Sequence, residues 1–241
     1  MTGALQAGKA GESAAGRFPA SLVRKLSESL PPAAAAESAV PSYTHRIPLI
    51  RWLMFRRLDV IEKMALAELA RNADHAAGLS ALDYGCGVGM MIPALAPRVE
   101  TLYLCDEQLA PARVAAEWFH AANVVCLLPD ELSSGIGDSG LDVVIAADVL
   151  EHVDDLPAVV DAFRRKLRPG GALIVSGPTE NRAYHLGRKI AGFTGEYHVR
   201  SVFEVEDGIQ KGGFVRERLL RLPFAFAPSL FRITLWRRMR T

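Results

Sequence analysis

LDYGCGVG, residues 82–89, places Gly85, Gly87 and Gly89 at alternate positions directly after a short apolar run. Glycines there let the chain take positive φ and bring its backbone against a ligand. Three glycines at single spacing exceed what a plain tight turn requires. The spacing is GxGxG, not the GxGxxG that seats a pyrophosphate on a helix N-terminus. Asp83, two residues before the first glycine, would repel a pyrophosphate and attract a cation. A ligand carrying an ammonium or sulfonium group is therefore expected.

Outward from this turn, strands and helices alternate. SALDYG (80–85), VETLYLC (99–105), VVCLL (124–128), LDVVIAA (141–147) and GALIVSG (171–177) read as strands. MMIPALAPR (90–98), APARVAAEWFHAA (110–122) and LPAVVDAFRRKL (156–167) read as the intervening helices, and SSGIGDSG (133–140) as a loop. This rhythm predicts an α/β, doubly wound, mostly parallel sheet with right-handed crossovers. A helix in SVFEVEDGIQKG (201–212) precedes FVRERLLRLPF (214–224) and FRITLWRRM (231–239). The last two runs lie too close together for a crossover, so they predict an antiparallel C-terminal hairpin. Upstream, residues 47–73 read as one long helix, with Arg51, Arg56 and Arg57 expected on its exposed side. Residues 1–41 are rich in Ala, Gly, Ser and Pro and are expected to be disordered, apart from a short helix in SLVRKLSESL. Residues 42–241 are expected to form the folded domain.

The chain has 241 residues, a formal net charge of +1 and 50% apolar residues, so no global field draws it to nucleic acid or a membrane. Cys86, Cys105 and Cys126 form no CxxC pair, which argues against zinc or a disulfide framework and for reduced cytoplasmic thiols. No apolar run reaches the ~18 residues of a membrane span, and no apolar signal region opens the chain. The Arg and Ser content of the N-terminal segment is compatible with an organelle transit peptide, but Glu12, Glu28 and Glu37 argue against one. From Lys211 onward eight basic residues face one acid, Glu217. They read as the solvated face of terminal strands, or as a docking face for an anionic substrate or a membrane surface.

Asp106 ends the second strand, where a ribose-binding carboxylate belongs. Asp130 follows the third strand, where it could accept from an adenine amine; a helix N-cap is the other reading of either acid. Taken together, LDYGCGVG, LYLCDEQL, LDVVIAADVLEHV and LRPGGALIVSGP resemble the class I S-adenosylmethionine-dependent methyltransferases, nearest the type-11-like small-molecule group. The resemblance covers about residues 48 to 220. It implies a seven-stranded sheet with the last strand antiparallel, and S-adenosylmethionine as cofactor. It implies that Gly85, Gly87 and Gly89, with Asp83 and Cys86, meet the methionine and ribose part. Asp106 would hold the ribose, with Glu107 beside it. Asp130 and Glu131 would meet the adenine, and Asp148 the methionine end.

Methyl transfer from a sulfonium is an in-line displacement that rests on positioning and water exclusion, with a base only where the acceptor must lose a proton. Base candidates lie in the stretch 176–201, read as a substrate lid: His198 first, then His185 and Glu180. Arg188, Lys189 and Arg200 are the candidates for holding an anionic acceptor, against a reading as solvated charges. Asp148, Glu151 and His152 form DxxEH. Some ubiquinone-pathway O-methyltransferases carry ExxEH at this place and use a divalent metal. Here Asp replaces the first Glu, and no metal is expected. The expected activity is methyl transfer, to oxygen of a small-molecule or lipid-linked acceptor, with weak membrane-surface contact through the basic tail. A non-catalytic S-adenosylmethionine-binding regulator is the alternative. A nicotinamide oxidoreductase is opposed by GxGxG, Asp83 and the hairpin. No interleaved basic and aromatic stripe points to nucleic acid.

Overall fold

A computed structural model of the chain describes residues 14–30, 40–73, 78–190, 199–225 and 228–239. Seven strands form one sheet: β1 (Ser80–Tyr84), β2 (Thr101–Cys105), β3 (Val124–Leu127), β4 (Leu141–Ala147), β5 (Leu167–Pro178), β6 (Phe214–Leu222) and β7 (Phe231–Arg238). Their order is β3-β2-β1-β4-β5-β7-β6. The pairs among β1–β5 are parallel, and β7 is antiparallel to both β5 and β6. The sheet is thus mixed, mostly parallel, with the antiparallel hairpin at its C-terminal edge. Strand order reverses between β1 and β4. In such sheets that is where ligands bind, beyond the carboxyl ends of the strands.

Among the described residues, six helices of nine or more residues frame the sheet: α1 (Ala20–Glu28), α2 (Pro48–Arg71), α3 (Ala110–Trp118), α4 (Leu156–Lys166), α5 (Arg182–Ile190) and α6 (Val202–Lys211), with shorter helical turns between them. Alternation along the central strands sends side chains to two cores. Val143, Ile145 and Ile174 pack with Leu58, Ile61 and Leu69 of α2. Val144, Leu173 and Val175 pack with Phe163 of α4 and Val205 and Ile209 of α6. Burial on both faces is why β4 reads as a nearly unbroken apolar run.

α2 runs down one face of the sheet. Arg57 lies at the carboxyl end of β4, where it ion-pairs with Asp148. Eleven residues on, Glu68 meets Arg237 of β7 at 2.7 Å, and Arg237 also donates to the Gly170 carbonyl at the start of β5. The helix therefore begins above the rim and descends along β5. At 1.5 Å per residue, its first turns stand roughly 13 Å beyond the level of Arg57.

The segment before residue 42 departs from the expectation of disorder. Phe18, Leu22, Val23 and Leu26 are buried in the core against α2 and α3. Phe18 meets the Phe119 ring edge-on at 5.2 Å, and Arg17 pairs with Glu62. Composition hid this because the apolar positions 18, 22, 23 and 26 sit among Ala, Ser and Gly. Their helical spacing carries the signal, not their number. The rest of the segment, 1–13 and 31–39, lies outside the described residues.

The basic tail is largely neutralised within the fold. Glu206 of α6 accepts from Arg232 at 2.6 and 2.7 Å and from Arg216 at 2.7 Å. Arg237 bridges Glu68 and Glu217. Arg238 donates to the Leu167 carbonyl. Phe231 and Trp236 are buried, Phe224 is exposed, and Phe226 lies outside the described residues. No helix among the described residues is long and apolar enough to cross a membrane.

Candidate cofactor and acceptor site

The glycine turn leaves β1 at the rim. Gly85, Gly87 and Gly89 take φ of 72°, 51° and 76°, all in the left-handed region. The N–H of Gly85 donates to the Cys105 carbonyl at 2.8 Å, which ties the turn to the end of β2. A Cβ on Gly85 would come within 2.5 Å of Val149. Gly87 differs: among the described residues, no atom beyond its own chain neighbours lies within 4 Å of where its Cβ would be. Its conformation is as demanding, yet the space beside it is open.

Asp106 follows β2 and reaches this turn. Its Oδ2 accepts from the Gly87 N–H at 2.8 Å and its Oδ1 from the Gln108 N–H at 2.9 Å. Each carboxylate oxygen keeps further acceptor capacity. Gly87 and Asp106 are thus in direct contact, and a vicinal diol could add to the second lone pairs. Asp83 is buried beneath them, 4% exposed. Burial, with the Asp106 carboxylate second, pushes its pKa up to about 7. The charge expected on Asp83 is therefore strongly suppressed by its surroundings. Burial likewise pushes the Cys86 thiol well up and Cys105 up to about 12, so both stay protonated packing groups.

On the β3 side, Glu131 caps its own turn, its Oε2 accepting from the Leu128 N–H at 2.8 Å. Asp130 and Glu107 are exposed. Among the described residues, neither is hydrogen-bonded to the Gly87–Asp106 pair.

On the β4 side, Asp148 adopts φ 53° directly after the strand. Positive φ in a non-glycine residue is held only where the surroundings over-determine it. Here the Ser176 hydroxyl donates to Asp148 Oδ1 at 2.8 Å, and Arg57 ion-pairs with the other carboxylate oxygen. Arg57 was expected to be exposed and is instead 2% exposed. It donates to the Tyr43 hydroxyl at 3.3 Å and stacks over the Phe231 ring at 5.1 Å. Its Nε has no hydrogen-bond partner among the described residues. A run of three nearby arginines in an amphipathic helix looks solvated from sequence. Only the counter-ion on another element, Asp148, allows one of them to be buried.

Glu151, one turn past Asp148, is also buried, and its Oε1 has no hydrogen-bond partner among the described residues. Burial raises its pKa to about 7; Arg57 lowers it and Glu180 raises it further. Its carbonyl accepts from the N–H groups of Val199 and Arg200, which ties the end of the 176–201 stretch to this turn. Arg200 also donates to the Val153 and Asp154 carbonyls, so it serves the loop.

Among the base candidates, Glu180 is half-buried at φ 49°, close enough to act on Glu151. His185 is exposed on α5. His198 lies outside the described residues, as do Tyr197 and the rest of 191–198. No group of three His, Cys, Asp or Glu side chains is arranged to hold a metal among the described residues. The first acid of DxxEH is engaged by Arg57 and Ser176.

A family profile described as a methyltransferase domain matches residues 54–207, which spans β1 through α6 and most of α2. The chain belongs to the class I S-adenosylmethionine-dependent methyltransferases. This methyltransferase is 31% identical over 131 residues to a ubiquinone biosynthesis O-methyltransferase of Idiomarina loihiensis, covering 53% of this chain and 54% of that protein. It is 34% identical over 115 residues to a protein of the same name from Psychrobacter arcticus, covering 46% and 45%. The chain thus spans about half the length of the curated relatives it matches. Its fold is similar to that of the N-methyltransferase NodS from Bradyrhizobium japonicum WM9, solved in complex with S-adenosyl-L-homocysteine. The TM-score is 0.54 at 18% identity, over 75% of this chain and 88% of that one.

Proposed function

We propose that this methyltransferase moves a methyl group to an oxygen of a small-molecule or lipid-linked acceptor, with Gly87, Asp106, Arg57 and Asp148 as its principal cofactor-holding residues. The observation that carries the cofactor reading is the open space beside Gly87, set against the Asp106 carboxylate. A backbone held at positive φ without a protein neighbour leaves room for a ligand, and the carboxylate has acceptor capacity for two hydroxyls. The methionine end of S-adenosylmethionine carries one carboxylate and one ammonium. Arg57 and Asp148 offer one cation and one anion, matched to it in charge. The residues therefore fit the group.

When bound, S-adenosylmethionine supplies a methyl on an electrophilic sulfonium. Asp106 orients the ribose, and the 85–89 turn excludes water from one side. A cation near the turn would draw Asp83 toward its ionised form. Oxygen as the accepting atom is supported by the names of the relatives, which are O-methyltransferases. A hydroxyl acceptor must lose its proton. Glu151 joins Glu180, His185 and His198 as a candidate to take it, because its carboxyl is buried, has an unpartnered oxygen and titrates near neutrality.

Calorimetric titration with S-adenosylhomocysteine tests the cofactor reading; no binding would reject it. An extract incubated with methyl-labelled S-adenosylmethionine and the protein, followed by mass analysis, tests the transfer. Label on oxygen is expected, and label on nitrogen or carbon would reject the oxygen assignment. Arg57→Met is expected to weaken S-adenosylhomocysteine binding, whereas Arg56→Met leaves it unchanged.

A further inference from the structure

Three segments rise above the carboxyl rim of the sheet and converge on one ring. The start of α2 stands there because the helix descends past Asp148 only at Arg57. α5 follows β5, and its Tyr184 meets the Phe231 ring edge-on at 5.9 Å. Leu222 and Phe231, at the open end of the hairpin, lie at the same level, since Phe231 pairs with both Leu222 and Pro178. Arg57 stacks on the same Phe231 ring.

The outer surface of these segments is apolar where a soluble rim would be polar. Leu49 is 68% exposed, Trp52 52%, Leu186 60% and Phe224 53%. Leu49 and Trp52 lie three residues apart on the outward side of α2, opposite the buried Met54, Arg57 and Leu58. Within these segments themselves the charge has one sign. Residues 46–57, 181–190 and 221–231 contain eight Arg or Lys and no Asp or Glu. Arg57 is buried, but Arg46, Arg182, Lys189 and Arg221 are exposed. The tail offers no comparable surface, because Arg216, Arg232 and Arg237 are paired with Glu206, Glu68 and Glu217.

We propose that this crown docks the protein onto an anionic phospholipid surface. Trp and Leu on one helical face with arginines beside them are the elements of an interfacial helix that lies in the headgroup region. The apolar side chains supply burial and the cations supply attraction to the surface potential. A bilayer also matches the layout better than a protein groove would, since the apolar groups sit on separate protruding segments, not along one stripe. Docked this way, the rim that carries Asp148 and Glu151 faces the membrane, and an acceptor dissolved in it would have a short path to the site. The inference stands on surface and charge and does not depend on the methyl-transfer reading.

The test is co-sedimentation of the full chain with vesicles of phosphatidylcholine alone and of phosphatidylcholine mixed with phosphatidylglycerol. Binding to the mixed vesicles is expected, weakening as salt is added. The double variant Leu49→Ser, Trp52→Ser should bind at least about tenfold more weakly, with unchanged S-adenosylhomocysteine affinity and melting temperature because both side chains are exposed. Arg218→Gln, on the outer face of the hairpin, should bind as the parent does. Failure to sediment with anionic vesicles at low salt would overturn the proposal. So would equal binding by the double variant. Loss of self-association in the double variant, measured by sedimentation velocity without any vesicle binding, would overturn it in favour of a contact between copies.

Discussion

Gly87→Ala separates what the glycine turn does for the fold from what it does for the ligand. The substitution keeps the N–H that donates to Asp106. It adds a methyl where, among the described residues, no atom beyond its own chain neighbours lies within 4 Å, at a φ of 51°. The cost to folding is then backbone strain alone, about 1–2 kcal/mol. For a domain of this size that lowers the melting temperature by about 2–4 °C per kcal/mol. Gly85→Ala carries similar strain at φ 72° and also drives a methyl to 2.5 Å from Val149. Overpacking adds roughly 1–3 kcal/mol, for a total of about 2–5 kcal/mol. Val149→Ala in the Gly85→Ala background should recover part of that, because it removes the opposing methyls. Calorimetric titration with S-adenosylhomocysteine gives the contrasting readout. Gly87→Ala should lose at least about tenfold in affinity, equivalent to ~1.4 kcal/mol, while its melting temperature falls only by the few degrees that backbone strain accounts for. If Gly87→Ala binds S-adenosylhomocysteine as the parent does, the open space beside Gly87 is not the ligand's, and the cofactor placement fails with it.

Asp106→Ala releases two N–H groups, on Gly87 and Gln108, to solvent at a half-exposed site. Stability should change by no more than about 1 kcal/mol, and S-adenosylhomocysteine affinity should fall about a hundredfold; a loss under threefold would remove Asp106 from the ribose site. Arg232→Met leaves the buried Glu206 with Arg216 as its ion-pair partner, at 2.7 Å. Denaturant unfolding should show a loss of about 3 kcal/mol, and a neutral result would mean that Arg216 alone neutralises the site. Asp83 and Glu151, both raised to about 7 from 3.8 and 4.5, make stability depend on pH. Native protein holds protons there that the unfolded chain has released. Their contribution is therefore complete below about pH 4 and is lost as pH rises through 7, by roughly 4 kcal/mol for Asp83 and roughly 3 kcal/mol for Glu151. Glu151→Gln should flatten that slope in urea titrations run from pH 5 to 8, and an unaltered slope would mean that Glu151 is not the titrating group. Ionisation of Asp83 should also favour the sulfonium over the neutral thioether. The affinity ratio of S-adenosylmethionine to S-adenosylhomocysteine is expected to rise up to about tenfold between pH 6 and 8, and a flat ratio would separate Asp83 from the sulfonium.

What the sequence disclosed and what it hid divide along one physical line. The mostly parallel sheet and its antiparallel hairpin follow from local signals: period, turn chemistry and the spacing of adjacent βα units. Each of those motifs is completed by residues near it in the chain. The burial of Arg57 and of the helix over Ala20–Glu28 stayed hidden for the complementary reason. Arg57 is buried because Asp148 and Tyr43 lie beside it, and no window around residue 57 contains that information. Leu22 and Leu26 are core residues because α2 and α3 present an apolar surface to them, whereas their own neighbours are Ala, Ser and charged groups. The same dependence on distant partners explains the basic tail. Eight cations against one acid looked like a surface field, but Glu206 and Glu68 come from helices well upstream and neutralise it. Among the described residues, the crown keeps exposed Arg46, Arg182, Lys189 and Arg221, and residues 46–57, 181–190 and 221–231 bring no acid of their own. Local counting places excess charge in a segment, but only the fold decides whether a counter-ion reaches it. The residues whose roles could not be read in advance are those whose partners are brought from far along the chain.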